Sequence, residues 1–501
     1  MKELILSKLK KYNIKNLLLI IIISLLLFVP LIYYYTDYWS HFLVFLVLLV
    51  SIGIFNKYLY IVTSIFISLV TLFIIHIEFN WGGGFIKDRI AVALESPTYE
   101  TYEYLKVYIS YIDISLIIYF IVIVFFALLF IKKVQIKIFQ IISIFIIISL
   151  IIFIDYKQKA IMTNPSVYII SRAINGIVEY YTDKNSNKKV YNLKKEKIEC
   201  SNKFDKLLIV IGESANRNHF SLYGYKRKTT PFLDSLGVTK LNAIAPTNQT
   251  RYSVPMLISH GNVFNPQNIF RKSSLIEELK QCGYETYWIS NQGRIGVHDT
   301  DITSLGKKAD YVYFTNKEVN NNVSSYDSKI YKYMKNINIK SNKKQAFFIH
   351  LMGSHQYYGS RTPKKYKYFA TKSIIDEYDN TIHYTDMILS KIFNLFPKDK
   401  LLFAYVSDHS DVVSETKAGH GFIPSYKDEY EIPLIIWPKI NFENTGGGML
   451  KSRYINTESF NYLIRYLVGI DEKPKLSYST KVIDVNLKNI KDFKELNYYE
   501  K

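Results

Sequence analysis

Apolar residues are spread unevenly along the 501-residue chain. Up to about residue 155 they form near-continuous runs: Leu17 to Tyr33, Tyr38 to Phe55, Tyr58 to Ile77, Ile112 to Ile131 and Ile138 to Ile154. Each is close to the ~20 residues a helix needs to cross ~30 Å of hydrocarbon, so five in succession predict a transmembrane domain over residues 1–155 rather than buried core helices. No small-residue cleavage site follows the first run and further spans come after it, which argues against a cleaved signal peptide. From residue 203 onward the pattern changes to short apolar runs separated by Asn, Lys, Ser and Gly. KLLIVIG (Lys206 to Gly212), ETYWISN (Glu285 to Asn291), QAFFIHLMG (Gln345 to Gly353), KLLFAYVSDH (Lys400 to His409) and IPLIIWP (Ile432 to Pro438) read as strands of the kind buried in parallel sheets. Helical patterns lie between them, such as SSLIEELKQCG, SIIDEYDNTIHYTDMILSKIF and TESFNYLIRYLVG. The expectation for residues 203–501 is an α/β domain with a central, mostly parallel sheet, joined to the spans by a linker over residues 156–202.

Lysine placement sets the orientation. Lys2, Lys8, Lys10, Lys11 and Lys15 precede the first run, Lys57 lies between the second and third, and Lys132, Lys133 and Lys137 lie between the fourth and fifth. Positive residues mark the cytoplasmic side, which puts the N-terminus there. Five spans then deliver the loop 78–111 and everything after Tyr156 to the opposite face. The net charge of +20 would suit nucleic acid in a cytosolic protein, but an exported domain excludes that partner. Its excess suits anionic lipid or phosphorylated glycan surfaces, or simply a solvated lysine-rich face. The two cysteines, Cys200 and Cys282, can form one disulfide in an oxidising compartment, although bridge geometry rejects most pairs.

In open α/β sheets, active groups collect just past the carboxyl ends of the strands. The first predicted strand runs into Glu213, the third leads through MGSH to His355, and the fourth ends on Asp408 and His409, with His420 in GHG soon after. Each alone has a plain structural role open to it, as a helix-terminal acid or a loop histidine. Together they bring carboxylate oxygens and imidazole nitrogens to one sheet edge, a donor set that suits zinc or manganese.

GESANRNHFSLYGYKRKTTPFL (Gly212 to Leu233), TRYSVP (Thr250 to Pro255), MGSH (Met352 to His355), YDNTIHYTD (Tyr378 to Asp386), VSDHS (Val406 to Ser410) and GHG (Gly419 to Gly421) occur in that order. This series resembles the motifs of bacterial phosphoethanolamine transferases, inner-membrane enzymes of the alkaline phosphatase/sulfatase superfamily that modify lipopolysaccharide. The resemblance spans nearly the whole chain, since five spans before a periplasmic catalytic domain is also that family's architecture. It implies Glu213, Asp408 and His409 as zinc ligands and Thr250 as a nucleophile that also touches the metal. His355 and His420 match histidines near the transferred phosphate or a second zinc. The loop Arg89 to Leu105 resembles the segment that holds the ethanolamine head group, with Glu100 at the matching acid.

The implied reaction takes phosphoethanolamine from phosphatidylethanolamine to lipopolysaccharide or another envelope glycan, on lipid A or a core sugar, with SLYGYKRKTTP closer to members acting on core sugars. Ser410 and Asp411 stand where the family often has Gly-Glu. Spacing alone does not choose Thr250 over Ser214, Ser221 or Thr247, and a structural capping role is open to it. A phosphoglycerol transferase of the same superfamily and an inactive membrane lipid sensor or scaffold are the alternatives. A sulfatase acting on sulfate esters would need a Cys or Ser in a motif such as CxPxR, and neither cysteine sits in one.

The lysine distribution makes a direct prediction. A reporter active only outside the cytoplasm should be active when fused after Lys157 and silent when fused at Lys133. The opposite pattern would remove the argument for an exported domain.

Overall fold

The computed structural model describes residues 15–30, 39–82, 98–131, 198–201, 203–292, 301–315, 326–440, 453–485 and 490–499, with positions 89 and 146. They divide into two compact units, one of apolar helices and one that holds residues from 198 onward together with 98–107.

In the first unit, Lys57–Trp81 and Tyr111–Phe130 are long and apolar enough to cross a membrane, and Lys15–Pro30 and Leu46–Phe55 are shorter apolar helices. The described residues thus hold two helices of spanning length where the sequence predicts five runs, and most of the run from Ile138 to Ile154 lies outside them. Local signals start the two long helices where the sequence turns apolar. The Asn56 side chain accepts from the Tyr58 and Leu59 N–H groups, and Ser110 and Asp113 form a reciprocal capping box. Ile20, Leu27, Tyr60, Ile74, Phe120 and Ala127 pack inside, with the Ser24 and Tyr60 hydroxyls 3.0 Å apart. Val62 and Ile121 on the outer faces are each 63 % exposed, as helices that are apolar all round are when lipid is their solvent.

The second unit is built on one eight-stranded sheet. Its strands in chain order are β1 (Lys206–Gly212), β2 (Thr239–Ile244), β3 (Glu285–Ser290), β4 (Tyr311–Phe314), β5 (Gln345–His350) and β6 (Leu401–Ser407). After the two-residue pair β7 (Val412–Val413) and β8 (Ala418–Gly419) come β9 (Glu431–Trp437) and β10 (Ile455–Asn456). The spatial order is β10-β2-β9-β6-β1-β5-β3-β4. Every pairing is parallel except those of β9 with β2 and with β6. β9 runs backward because the chain leaves the carboxyl end of β6 and returns beside it, so the whole excursion 408–430 stays at that edge.

Side-chain alternation along β1 sets the layers. Leu207, Ile209 and Ile211 face one core with Trp288, Phe348 and Val406, covered by helices Thr250–Ile258, Leu275–Gln281 and Phe460–Val468. Leu208 and Val210 face the other with Phe347, Phe403 and Tyr405, covered by helix Ile374–Phe393. Parallel strands buried on both faces account for the nearly unbroken apolar runs. The register pairs Ile211 with His350 and Gly212 with Ser407, so the carboxyl ends of β5, β1 and β6 lie side by side.

Cys200 and Cys282, 82 positions apart in sequence, are bonded, with Cα atoms 5.6 Å apart. The bridge ties the segment entering β1 to the end of helix Leu275–Gln281. By loop-closure entropy it contributes about 4 kcal/mol, so Cys282→Ser should lower the unfolding temperature as much as reduction of the native protein does. Equal melting of reduced and oxidised native protein would show that the bridge adds nothing.

Candidate metal centre and active site

Glu213 directly follows β1 and Asp408 and His409 follow β6, so the register of these central neighbours sets them together. Ligand atoms of the three lie within 4.8 Å of one another, and all three residues are 0 % exposed. His409 Nε2 is 3.4 Å from Glu213 Oε1 and 3.4 Å from Asp408 Oδ2. His409 Nδ1 lies 3.1 Å from the Ser410 carbonyl, an acceptor for its proton, which leaves Nε2 as the lone-pair donor.

The carboxylates are only partly satisfied by protein. Glu213 accepts from the Ser214 hydroxyl at 2.7 Å and from Gln292 Nε2 at 2.6 Å. Asp408 Oδ1 accepts the N–H groups of Ser214 (3.1 Å) and His409 (2.7 Å), whereas Asp408 Oδ2 is buried with no hydrogen-bond partner among the described residues. Burial pushes the Asp408 carboxyl up to about 7. An orphaned carboxylate oxygen in a dry cluster of two acids and an imidazole is what a divalent cation satisfies, so these residues fit a metal.

Thr250 is the first residue of helix Thr250–Ile258. Its hydroxyl oxygen lies 3.1 Å from Glu213 Oε2 and 3.0 Å from His409 Nε2, and unlike the acids the residue is partly exposed. A helix N-terminus turns backbone N–H groups and the positive dipole end toward an anion. The rival hydroxyls are otherwise engaged. Ser214 donates to Glu213, Ser221 bonds Thr230 and Asp234, and the buried Thr247 accepts from the Gln249 N–H.

His420 is brought beside the cluster, its ring centroid 4.0 Å from that of His409. Its Nδ1 is 2.7 Å from Asp411 Oδ1, and the Tyr358 hydroxyl donates to Asp411 Oδ2 at 2.6 Å. His409, Asp411 and His420 form a second group of ligating geometry. The departure at Ser410-Asp411 therefore supplies the acid that orients His420. His355 is not in either ligating group. Burial lowers its imidazole to about 4, with Glu213, Arg361, His420 and His409 within electrostatic range, and its buried Nδ1 has no hydrogen-bond partner among the described residues. Glu100 belongs to helix Thr98–Tyr108, and its side chain lies outside the described residues.

Backbone close to the centre is tightly held. Ser214 sits at φ 54, and the Tyr378 hydroxyl pins that turn by donating to the Ser214 carbonyl and accepting from the Asn216 N–H, both at 2.7 Å. Gly353 has φ +50, and a Cβ there would come within 2.8 Å of the Glu213 carbonyl oxygen, so only glycine lets the MGSH loop pack on Glu213. At Gly212 a Cβ would meet the Tyr405 hydroxyl at 2.5 Å. The motif YDNTIHYTD is scaffold of the same kind. Asp379 takes Arg227, Tyr225 and His219, and Asp386 accepts the Phe232 and Leu233 N–H groups.

Several residues of the site carry no signal in sequence pattern. Gln292 could have been found, because it stands just past the carboxyl end of β3. Asp327, which accepts from Met352 N and Gly353 N, comes from a distant loop without periodicity. Glu429, whose buried carboxyl holds the N–H groups of Gly421, Phe422 and Tyr426, is close in sequence to its partners but also lies in a segment without periodicity.

Known proteins resemble this chain in sequence and fold. The chain is 26% identical over 303 residues to the phosphoethanolamine transferase EptC of Escherichia coli K12, an alignment covering 56% of this chain and 52% of that protein. It is 28% identical over 260 residues to CptA of Salmonella typhimurium, covering 46% and 44%. The chain thus spans about half the length of the curated relatives it matches. Among solved structures, the zinc complex of the C-terminal periplasmic domain of Escherichia coli EptC superposes with a TM-score of 0.52 at 24% identity, covering 61% of this chain and 96% of that one. The integral membrane protein EptA of Neisseria meningitidis superposes with a TM-score of 0.60 at 18% identity, covering 90% and 95%, so the fold likeness extends into the N-terminal part. The sulfatase family profile matches residues 205–464, more than half of the chain and the whole of the sheet that carries the site, and the chain belongs to that family, in the alkaline phosphatase superfamily.

Proposed function

We propose that this chain transfers phosphoethanolamine from phosphatidylethanolamine to lipopolysaccharide, on a core sugar or lipid A, through a covalent threonine intermediate. The observation that carries this reading is the Thr250 hydroxyl, partly exposed at a helix start and within hydrogen-bond reach of both Glu213 and His409. Relatives named phosphoethanolamine transferases support the transferred group. The chain would work as a multi-pass protein of the bacterial inner membrane, with five spans, a cytoplasmic N-terminus and the catalytic domain 203–501 in the periplasm.

Glu213, Asp408, His409 and Thr250 would hold one zinc, with manganese also compatible, and His409, Asp411 and His420 offer a second position. Bound there, zinc lowers the pKa of a coordinated hydroxyl and polarises phosphoryl oxygens. Thr250 Oγ1, its proton already lost to water at the open rim, attacks phosphorus while the helix start receives the phosphoryl oxygens, and it leaves again in the same deprotonated form in the second half. The bond to diacylglycerol breaks, and its oxygen takes a proton from His420, oriented by Asp411; His355, held neutral by burial, is left to hydrogen-bond the phosphate. In the second half an acceptor hydroxyl gives up its proton to His420 and displaces Thr250 from phosphorus.

Two predictions follow from the ligand and nucleophile assignments. Asp408→Ala and His409→Ala should each lower bound zinc and reduce transfer to background, and unchanged zinc by elemental analysis in both would make the pair a mere strand cap. Incubated with phosphatidylethanolamine and no acceptor, the native protein should gain one phosphoethanolamine on the peptide containing Thr250 and release diacylglycerol. Thr250→Ala should lose adduct and product but keep metal, while Thr250→Ser should retain part of the activity because it keeps the hydroxyl. An adduct on Ser214, Ser221 or Thr247 would overturn the assignment of the nucleophile.

A further inference from the structure

Arg361 and Glu103 stand 258 positions apart, yet they form a buried ion pair, with side chains 1% and 12% exposed. The guanidinium meets both carboxylate oxygens, Nη1 to Oε1 at 3.4 Å and Nη2 to Oε2 in close contact. Ser360 Oγ donates to the same carboxylate at 3.2 Å. The other edge of the guanidinium is turned to the loop that follows β5. Nε donates to the carbonyls of His355 and Gln356, both at 3.2 Å, and Nη2 to that of Gln356 at 2.8 Å.

That loop is not one that would hold its shape unaided. Tyr357 sits at φ 67, a left-handed conformation that bulky residues rarely adopt. The next residue, Tyr358, donates to Asp411, which orients His420. One guanidinium therefore fixes the backbone at His355 directly and, through Tyr358 and Asp411, the ring of His420. Its position in turn depends on a carboxylate from helix Thr98–Tyr108, whose Tyr102 and Leu105 are exposed and which gains little from apolar burial. Removing that charge would leave a buried cation partly uncompensated, and the guanidinium would shift toward water.

We propose that Glu103 is a positioning residue, which acts through Arg361 to align His420, the histidine that moves protons in the transfer reaction, and to hold the backbone that carries His355. This deepens the transferase reading and rests on it. The consequence is specific to proton transfer. Donors whose leaving group departs as an unstable alkoxide need an aligned acid, whereas donors with a nitrophenolate leaving group do not.

The experiment compares native protein with Glu103→Gln, which keeps size and hydrogen-bonding oxygen but loses charge. Full-length proteins in detergent are given phosphatidylethanolamine and p-nitrophenyl phosphoethanolamine, with bound zinc and thermal midpoint measured alongside. The expected result is a fall in the rate of diacylglycerol release from phosphatidylethanolamine in a single turnover of roughly tenfold or more, with the single-turnover burst of nitrophenolate, zinc content and midpoint little changed. Arg361→Lys, which keeps the charge but loses the planar fork, should show the same selective loss to a smaller degree. Parallel loss on both donors together with zinc or midpoint would make the pair merely structural, and no change on either donor would make it irrelevant, so both outcomes overturn the proposal. Failure of the native protein to use phosphatidylethanolamine would instead defeat the transferase reading, and the result would show itself before any variant is compared.

Discussion

Two carboxylates and one imidazole, Glu213, Asp408 and His409, are sealed against each other at the carboxyl edge of the sheet with an acid oxygen left over. In a dry interior such a group is unstable by itself, since each buried charge costs far more than its neighbours return. The arrangement is tolerable only if a cation completes it. Much of the surrounding structure serves to keep it from relaxing, because a shift of either loop would let water or a lysine take the cation's place. The sheet does the first part of this work. Central parallel strands with a matched register cannot slide without turning whole rows of Leu, Ile and Phe out of two cores, so the ends of β1 and β6 are held together by the burial of everything behind them.

The loops beyond those ends are held by a different device, which is the backbone accounting of buried polar groups. Short loops at a sheet edge expose N–H groups that have no strand partner, and each must find an acceptor. Here the acceptors are two carboxylates and a tyrosine hydroxyl: Asp327 for the MGSH loop, the nearby Glu429 for the GHG loop, and Tyr378 for the Asn216 N–H in the turn after Glu213. The motif YDNTIHYTD, which reads like catalytic sequence, therefore acts as a brace. Its acids face the segment 216–233 and not the metal cluster, and a substitution there would act on the site through geometry.

This difference explains what was legible in the sequence. Strands buried on both faces announce themselves as unbroken apolar runs, and β1, β3, β5, β6 and β9 are where those runs fall. β2, β4 and β10 were not, since β2 alternates exposed and buried positions, β4 is partly exposed at the sheet edge, and β10 has only two residues. The direction of β9 was also invisible, being decided by where the chain leaves β6. At the site, residues that end apolar strands stood out by position, and the motif resemblance picked Thr250 from among four hydroxyls. Asp411, Asp327 and Glu429 did not stand out, because polar residues in loops carry no period, whether their partners are near, as for Asp411 and Glu429, or distant, as for Asp327.

Exposure separates the two kinds of residue once more. Glu213, Asp408 and His409 are fully buried, whereas Thr250, His355 and His420 remain partly open. Groups that bind a cation profit from a low dielectric, which strengthens their attraction to it. In the proposed transfer, groups that meet two successive substrates cannot be sealed, because a lipid ester and then an acceptor hydroxyl would have to reach the same phosphorus. A site with a closed base and an open rim meets both demands only if the rim stays aligned while it is wet. Side chains there gain little from packing, so their alignment has to come from charged and hydrogen-bonded tethers such as Asp411 to His420. The polar braces around this rim are thus what the proposed two-substrate reaction over a dry cation site would demand.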